Sequence, residues 1–374
     1  MADNKNRNCC VKKTSIGGQA LMEGIMMRGP EMTAMAVRNT DGEIIVEKFP
    51  TKGADRSKFF KLPIIRGVFN YIDAMILGTK CLMRSAEISG LEEAEEQMKR
   101  EKEAKKAAKK ARKQGKSKET DNTEISEPAI EESITDTDNR SNTKPDKKDS
   151  PLWMSVVMFF SVLLGIGFSV ALFIILPAYI YKGAAYLMPF LKPENPALQS
   201  LIKSVFEGVF KILILIGYMA AISLMKDIRR TFMFHGAEHK TIFCYESGLE
   251  LTIENVKKQR RFHPRCGTSF LILMLLVGIF VSFFIDPLFY LSFGFMPATI
   301  IRVLIKLLLL PLIVGIGYEL IKISGRYDNW LTKIISAPGM WLQRVTVFEP
   351  TDDMIECAII AVKEVIPDND SDHW

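Results

Sequence analysis

His235 and His239 lie four residues apart, with Glu238 just before the second, in the string Phe234-His235-Gly236-Ala237-Glu238-His239-Lys240. On a helix, positions four apart share a face one turn apart, as two ligands of one metal ion require. The order H-x-x-E-H is the inverted form of the zincin signature. The chain has four histidines. A third, His263, follows in His263-Pro264-Arg265-Cys266, and the last, His373, is next to the end. In an open site, His235 and His239 bind a divalent ion, zinc by donor type, through neutral imidazoles. One of His263, Cys266 or Glu246 is then a third ligand, and Glu238 takes a proton from metal-bound water in a hydrolysis. In a closed site, His235, His239, His263 and Cys266 complete a tetrahedron that staples the surrounding connection, and Glu238 has no chemical task. A third reading has no metal, the same groups binding phospholipid headgroups or hydrogen-bonding at an interface. Cys244, five residues beyond His239, points off that helix face. Glu23, beside Gly24 in a Met-rich piece, is either a solvated loop acid or a carboxylate able to approach a metal or substrate.

These residues need elements to hold them, and composition says which kind. The 374 residues are a quarter charged, yet mean hydropathy is slightly positive, so the two kinds of residue must be segregated. Long uncharged runs do alternate with basic stretches. A net charge of +6 fits polar parts at an anionic membrane face. Nucleic acid would account for the basic stretches and leave the apolar runs unexplained. Cys9, Cys10, Cys81, Cys244, Cys266 and Cys357 form no disulfide framework and read as reduced cytosolic thiols. Residues 1–13 are polar without an apolar h-region, so no cleavable signal peptide is expected. Cys9-Cys10 is either an acylation site or a pair of free thiols in a disordered terminus.

Within 14–90, Gly17-Gly18 and Gly29-Pro30 punctuate turns and short strands. Arms at 34–38 and 43–49 around Asn39-Thr40-Asp41-Gly42 read as a β-hairpin. Residues 62–89 read as a helix whose apolar stripe Ile65, Val68, Phe69, Ile72, Met75 and Ile76 lies on a membrane surface or a bundle. Residues 91–150 are Lys/Arg/Ala/Glu-rich and then acidic, a solvated helix grading into a disordered linker, or an electrostatic tether to anionic lipid or RNA. Four runs, 152–177, 201–225, 269–285 and 298–320, are apolar enough to cross ~30 Å of hydrocarbon, and a re-entrant reading of 286–297 is open. Glu207 sits one turn from Lys203 and from Lys211, and Arg302 and Lys306 open the fourth run. A lone central Arg costs roughly 2.5–3.5 kcal/mol on insertion scales, so these charges lie near the interface or face protein.

Lys226, Arg229, Arg230, Lys240, Lys257, Lys258, Arg260, Arg261 and Arg265 crowd the connection 226–267, whereas 286–297 holds no base. The positive-inside rule then places that connection and both termini in the cytoplasm. Residues 322–341 read as an irregular polar and aromatic piece and 345–348 as strand-like. Thr351 caps a final helix with Asp352 and Asp353 in its first turn and Ile355, Ile359, Val362 and Ile366 on its apolar face.

Residues 17–30 (GGQALMEGIMMRGP), 234–245 (FHGAEHKTIFCY), 261–270 (RFHPRCGTSF) and 338–344 (PGMWLQR) resemble the signature blocks of the bacterial YqhQ-like membrane proteins. The likeness covers about 14–89 and 151–366, and nothing carries over onto the charged insert. That family carries the general label of metal-dependent enzymes, which implies a metal at His235, His239, His263 and Cys266 with Glu238 beside it. It implies no substrate and no reaction.

The expected fold is an α-helical, multi-pass cell-membrane protein with small cytosolic α/β elements. Its expected parts are a disordered 1–13, a hairpin and amphipathic helix over 14–90, a charged linker over 91–150, a transmembrane region over 151–321 and a cytosolic strand and helix over 322–374. The leading function is a metal-dependent hydrolase at the cytoplasmic face acting on peptide or lipid-like substrates. The alternative is a non-enzymatic scaffold or transport-associated protein with a structural metal site, motivated by Glu207, Lys211, Asp286, Arg302 and Lys306.

Overall fold

A computed structural model describes residues 12–51, 57–90, 151–295 and 297–372. The expectations for 1–11, 91–150 and His373 lie outside the described residues. Lys12 and Lys13 are ordered: Lys12 donates through its backbone N–H to the Glu246 carbonyl and through Nζ to the Tyr245 hydroxyl.

Four strands, β1 (Gly17–Leu21), β2 (Gly24–Arg28), β3 (Met32–Arg38) and β4 (Ile44–Pro50), form an antiparallel meander in sequence order. Met22 and Glu23 make the first turn, with Glu23 at positive φ. The β3–β4 hairpin turns as its Asp-Gly pair predicts, with Gly42 at φ 86° and the Asn39 side chain accepting from the Glu43 N–H at 2.8 Å. β1 and β2 are stronger strands than the Met-rich piece suggested. They lack polar–apolar alternation because both faces of the sheet are covered.

Ile25, Met27, Ala34 and Ala36 face Phe234 and Ala237 of α5 (Lys226–Glu246) and Met354, Ile355, Ala358 and Val362 of α11 (Asp352–Lys363). Leu21, Met26, Met35 and Val37 face Leu77, Cys81 and Leu82 of α1 (Ile65–Ile88) on the other side. Burying each large apolar side chain contributes about 1.5–3 kcal/mol relative to exposure. This layered core therefore clamps α5, which is buried over Gly236–Cys244 despite its His, Glu and Lys residues. Lys240 meets this demand with the Glu349 carboxylate and the Lys257 carbonyl. Gly236 permits the clamp, because a Cβ there would collide with the Phe348 carbonyl. We expect Gly236→Ala to cost about 1–3 kcal/mol through overpacking, read as a lowered unfolding temperature of the detergent-solubilised protein.

The apolar helices follow. α2 (Pro151–Val170) belongs to a unit of its own, residues 92–174. The second unit continues with α3 (Leu176–Leu187), α4 (Pro196–Ile222), α5, the short α6 (Ile253–Lys257), α7 (Gly267–Phe293), α8 (Thr299–Leu308), α9 (Leu310–Arg326), α10 (Trp330–Thr346) and α11. By length and composition, Phe159–Leu187, Leu198–Ile222 and Gly267–Phe293 are long and apolar enough to cross a membrane. Ile300–Leu308 and Leu310–Arg326 make a further apolar pair bent by 47°.

Three expectations are corrected. Residues 330–346 are regular helix α10, not irregular, and Asn329 and Thr332 close a capping box at its start. Phe348 is not in a strand, although its N–H donates to the Phe232 carbonyl. Thr351 precedes α11 without a side-chain cap bond. On α1, Ile72, Met75 and Ile76 of the apolar stripe are exposed, whereas Gly67 packs against Tyr318 of α9.

Candidate metal centre

The α5 backbone presents His235, Glu238 and His239 within one turn, and the two imidazole rings lie 4.4 Å apart between centroids. Cys266 enters from another direction, as the N-cap of α7, where its Sγ accepts from the Thr268 N–H at 3.4 Å. A sulfur at a helix N-terminus faces the positive end of the macrodipole, which favours thiolate.

The ring nitrogens are fixed by backbone carbonyls. His235 Nδ1 lies 3.0 Å from the Thr346 carbonyl and His239 Nδ1 2.5 Å from that of Arg261. A carbonyl only accepts, so each Nδ1 carries a proton and each Nε2 is the nitrogen left to bind an ion. This is the second-shell pattern that orients metal-binding histidines. His235 Nε2 lies 3.0 Å from Cys266 Sγ. His239 Nε2 and Glu238 Oε2 are buried with no hydrogen-bond partner among the described residues. The other Glu238 oxygen accepts from the Gly18 N–H at 3.1 Å. Ligand atoms of His235, His239 and Cys266 all lie within 4.8 Å of one another. Ligand distances of about 2.0–2.3 Å in a zinc tetrahedron imply separations of about 3.3–3.8 Å, so small side-chain adjustments make the three a fitting N₂S donor set. Glu238 stands outside that set, in the next position over.

The electrostatics favour a Cys266 thiolate facing a His235 imidazolium, whose Nε2 proton a binding cation would displace. Burial opposes the Cys266 thiolate, but the facing imidazoles of His235 and His239 outweigh it and hold the thiol well below its usual range. Burial likewise opposes a charged His235, and the thiolate reverses this, pushing the imidazole to about 9. Burial raises the Glu238 carboxyl, with the two imidazoles pulling the other way. A cavity of about 150 Å³ touches Glu238, His239 and Cys266, with Gly17 and Gly18 of β1 in its wall.

His263 and Glu246 are not part of the clustered donor set, although the His263 ring lies 5.6 Å from that of His239 between centroids and lines the same cavity. His263 Nδ1 accepts from the Arg265 N–H at 3.3 Å, and its Nε2 is 3.8 Å from Glu246 Oε2. Burial pushes this imidazole down to about 4. Arg265 binds the Glu246 carboxylate and donates to the Thr14 carbonyl at 2.6 Å. Gln343, in the PGMWLQR block, brackets the His263 backbone, accepting from its N–H at 2.8 Å and donating to its carbonyl at 2.7 Å. His263 thus braces the Cys266 loop beside the donor set. Glu23 pairs with Arg230 at the hairpin tip, and Cys244 is buried against the Leu249 and Glu250 carbonyls.

The Glu246–Arg265 pair makes a sign-definite prediction. Burial raises the Glu246 carboxyl, but His263 and Arg265 outweigh this and hold it at about 2. An acid depressed by folding stabilises above its unfolded value of about 4.3 and loses that contribution as pH falls towards the folded one. Acid unfolding should therefore run between about pH 4 and pH 2 at this group. Arg265→Gln strands a carboxylate that is 2 % exposed, at a cost on the order of 3–5 kcal/mol, and moves the acid limb to higher pH. Thermal melts of both proteins across pH measure this.

Sequence reasoning missed Gly18, Thr346 and Arg261, because they act through backbone groups. It also missed the Arg265–Glu246 brace, for which a buried acid near a required base was the available signal.

A model of the family described as "Protein of unknown function (DUF1385)" matches residues 62–368. The chain is 30% identical over 354 residues to "Uncharacterized protein YqhQ" of Bacillus subtilis (strain 168), covering 94% of this chain and 92% of that relative. No solved structure matches the chain. Neither description names an activity or a metal.

Proposed function

The chain belongs to the DUF1385 family of proteins of unknown function, and we propose that it is a metal-dependent hydrolase working at the cytoplasmic face of a membrane. The observation that carries this reading is the pair of buried, unpartnered acceptors, His239 Nε2 and Glu238 Oε2. A buried lone pair without a partner costs free energy, and a cation with one water would meet both. His235, His239 and Cys266 would hold the ion, leaving a fourth position on the Glu238 side. Bound there, zinc would lower the pKa of water towards 7 and polarise a substrate carbonyl. Glu238, raised by burial and held by Gly18, would receive the proton and return it to the leaving group. Arg261 and Thr346 would keep both imidazoles in the tautomer the ligand role needs.

The membrane setting draws on the three long apolar helices and the bent pair as a fourth span, α8 and α9. At 1.5 Å per residue each long helix exceeds ~30 Å of hydrocarbon. The basic connection 226–267 would then lie inside, placing both termini and the site in the cytoplasm. The test is turnover by metal-loaded protein, reversed by chelation and absent from a Glu238→Gln variant that still holds metal. Equal turnover by that variant sinks the reading.

One observation favours a second reading, a transport-associated protein with a structural metal site. Asp286 of α7 takes both nitrogens of Arg302 of α8, at 2.7 and 2.6 Å, and the Ser200 hydroxyl of α4 at 2.5 Å. Glu207 lies 3.8 and 3.9 Å from Lys203 and Lys211. Ionised groups among apolar helices mark solute pathways in many membrane proteins. Unimpaired function of an Arg302→Gln/Lys306→Gln protein would remove this reading.

A further inference from the structure

The metal cavity has a larger neighbour. A hollow of about 540 Å³ lies between β1–β2, α1 and α9. Ser15, Gly17, Gly18 and Arg265 line both spaces, so they adjoin across the Gly17-Gly18 backbone. The two glycines keep that junction bare. A Cβ on Gly17 would meet nothing within 4 Å, whereas one on Gly18 would press 3.1 Å from Glu238 Cδ and 2.7 Å from the Met26 carbonyl.

The walls are mixed, with Met26, Pro30, Ala74 and Leu77 beside polar side chains. Gln19, Thr51, Asn70 and Tyr318 line the hollow. The Gln19 amide has no hydrogen-bond partner among the described residues, while Asn70 Nδ2 donates to the Tyr318 hydroxyl at 2.9 Å and leaves its own carbonyl to accept. Thr51 already donates to the Gly29 carbonyl at 3.0 Å, which leaves the Gln19 amide and the Asn70 carbonyl for a peptide main chain, alternating donors and acceptors, to pair with.

β1 supplies the register. It is an edge strand, paired only with β2. Gly18, opposite Met27, sends its N–H to Glu238 and not to β2. In an antiparallel ladder the outward positions recur every second residue, so Ala20 also turns its backbone groups to the free side. The carboxylate assigned as base therefore occupies the Gly18 N–H at this edge, and Ala20 is the position left for an extended chain to pair with, as in recognition by strand addition.

We infer that the substrate is a polypeptide, bound extended along β1 with flanking residues in the large hollow and its scissile amide carried past Gly17 to Glu238 and His239. This rests on the hydrolase reading for its chemistry, though not for its binding. In the reaction water adds across the amide. The water oxygen bonds to the carbonyl carbon, the C–N bond breaks, the proton taken by Glu238 passes to the departing amine, and water's second proton follows from the new carboxyl group to that amine, giving a carboxylate and an ammonium end.

The experiment uses the full chain in lipid nanodiscs loaded with Zn²⁺, with unfolded, fluorescein-labelled casein as the polypeptide and phosphatidylglycerol vesicles as the lipid probe. Glu238→Gln protein should bind the casein saturably. Adding Gly17→Trp, which fills open space, or Ala74→Trp on the opposite wall should weaken that binding about tenfold or more with metal content and melting temperature unchanged. Absent binding, or binding indifferent to both tryptophans, overturns the inference. Vesicle hydrolysis without casein binding also overturns it while leaving a hydrolase. Casein bound at the groove but cut by no variant, wild type included, upholds the groove and removes the hydrolase reading.

Discussion

Replacing Glu238 by Gln is expected to lower kcat by about 10²–10⁴-fold, the usual worth of a positioned acid–base group, while leaving bound metal at wild-type level. The amide is isosteric, and its oxygen still accepts the Gly18 N–H that now holds Oε1 at 3.1 Å. His235, His239 and Cys266 keep every contact, because Glu238 lies outside the cluster they form. What disappears is the proton acceptor at Oε2, the atom that is buried and unpartnered. Lost metal in this variant would mean that Glu238 is a ligand and that the site is closed. Undiminished turnover would mean that proton transfer happens elsewhere.

His239→Ala is expected to abolish metal binding at micromolar metal, a fall of more than roughly 100-fold, beyond what loss of a second-shell partner costs. Among the described residues three side chains form the donor set, so removing one leaves two. Cys266→Ser should act in the same direction, since a serine hydroxyl is neither ionised nor soft at neutral pH. His263→Gln is the informative contrast. His263 is engaged with Arg265 and Glu246 and not with the cluster, so its loss should lower stability and leave one metal per chain. If His263→Gln loses metal as completely as His239→Ala, the four-ligand tetrahedron is restored.

The clearest signal in the sequence was the string on α5, because i,i+4 spacing on one helix needs no tertiary knowledge. Cys266 was legible only as one of several third ligands. Choosing it over His263 and Glu246 required the turn before α7, which aims the N-cap sulfur at α5 and turns the imidazole of His263 towards Arg265. The apolar helices, the β3–β4 hairpin and the apolar face of α11 followed from period and turn chemistry. β1 and β2 were muted by burial on both faces. α10 was hidden because its composition is polar and aromatic, and Pro338 and Gly339 lie inside the helix. Gly339 is nevertheless needed there, since a Cβ would collide with Ser269 of α7. The two carbonyls that fix the imidazoles carry no side-chain signature at all.

The most direct test of the central claim is cobalt substitution. One Co²⁺ per chain, with a thiolate-to-cobalt charge-transfer band that vanishes in Cys266→Ser and persists in His263→Gln, is the result expected of a site built from His235, His239 and Cys266. No stoichiometric cobalt, or a band indifferent to Cys266, would contradict it.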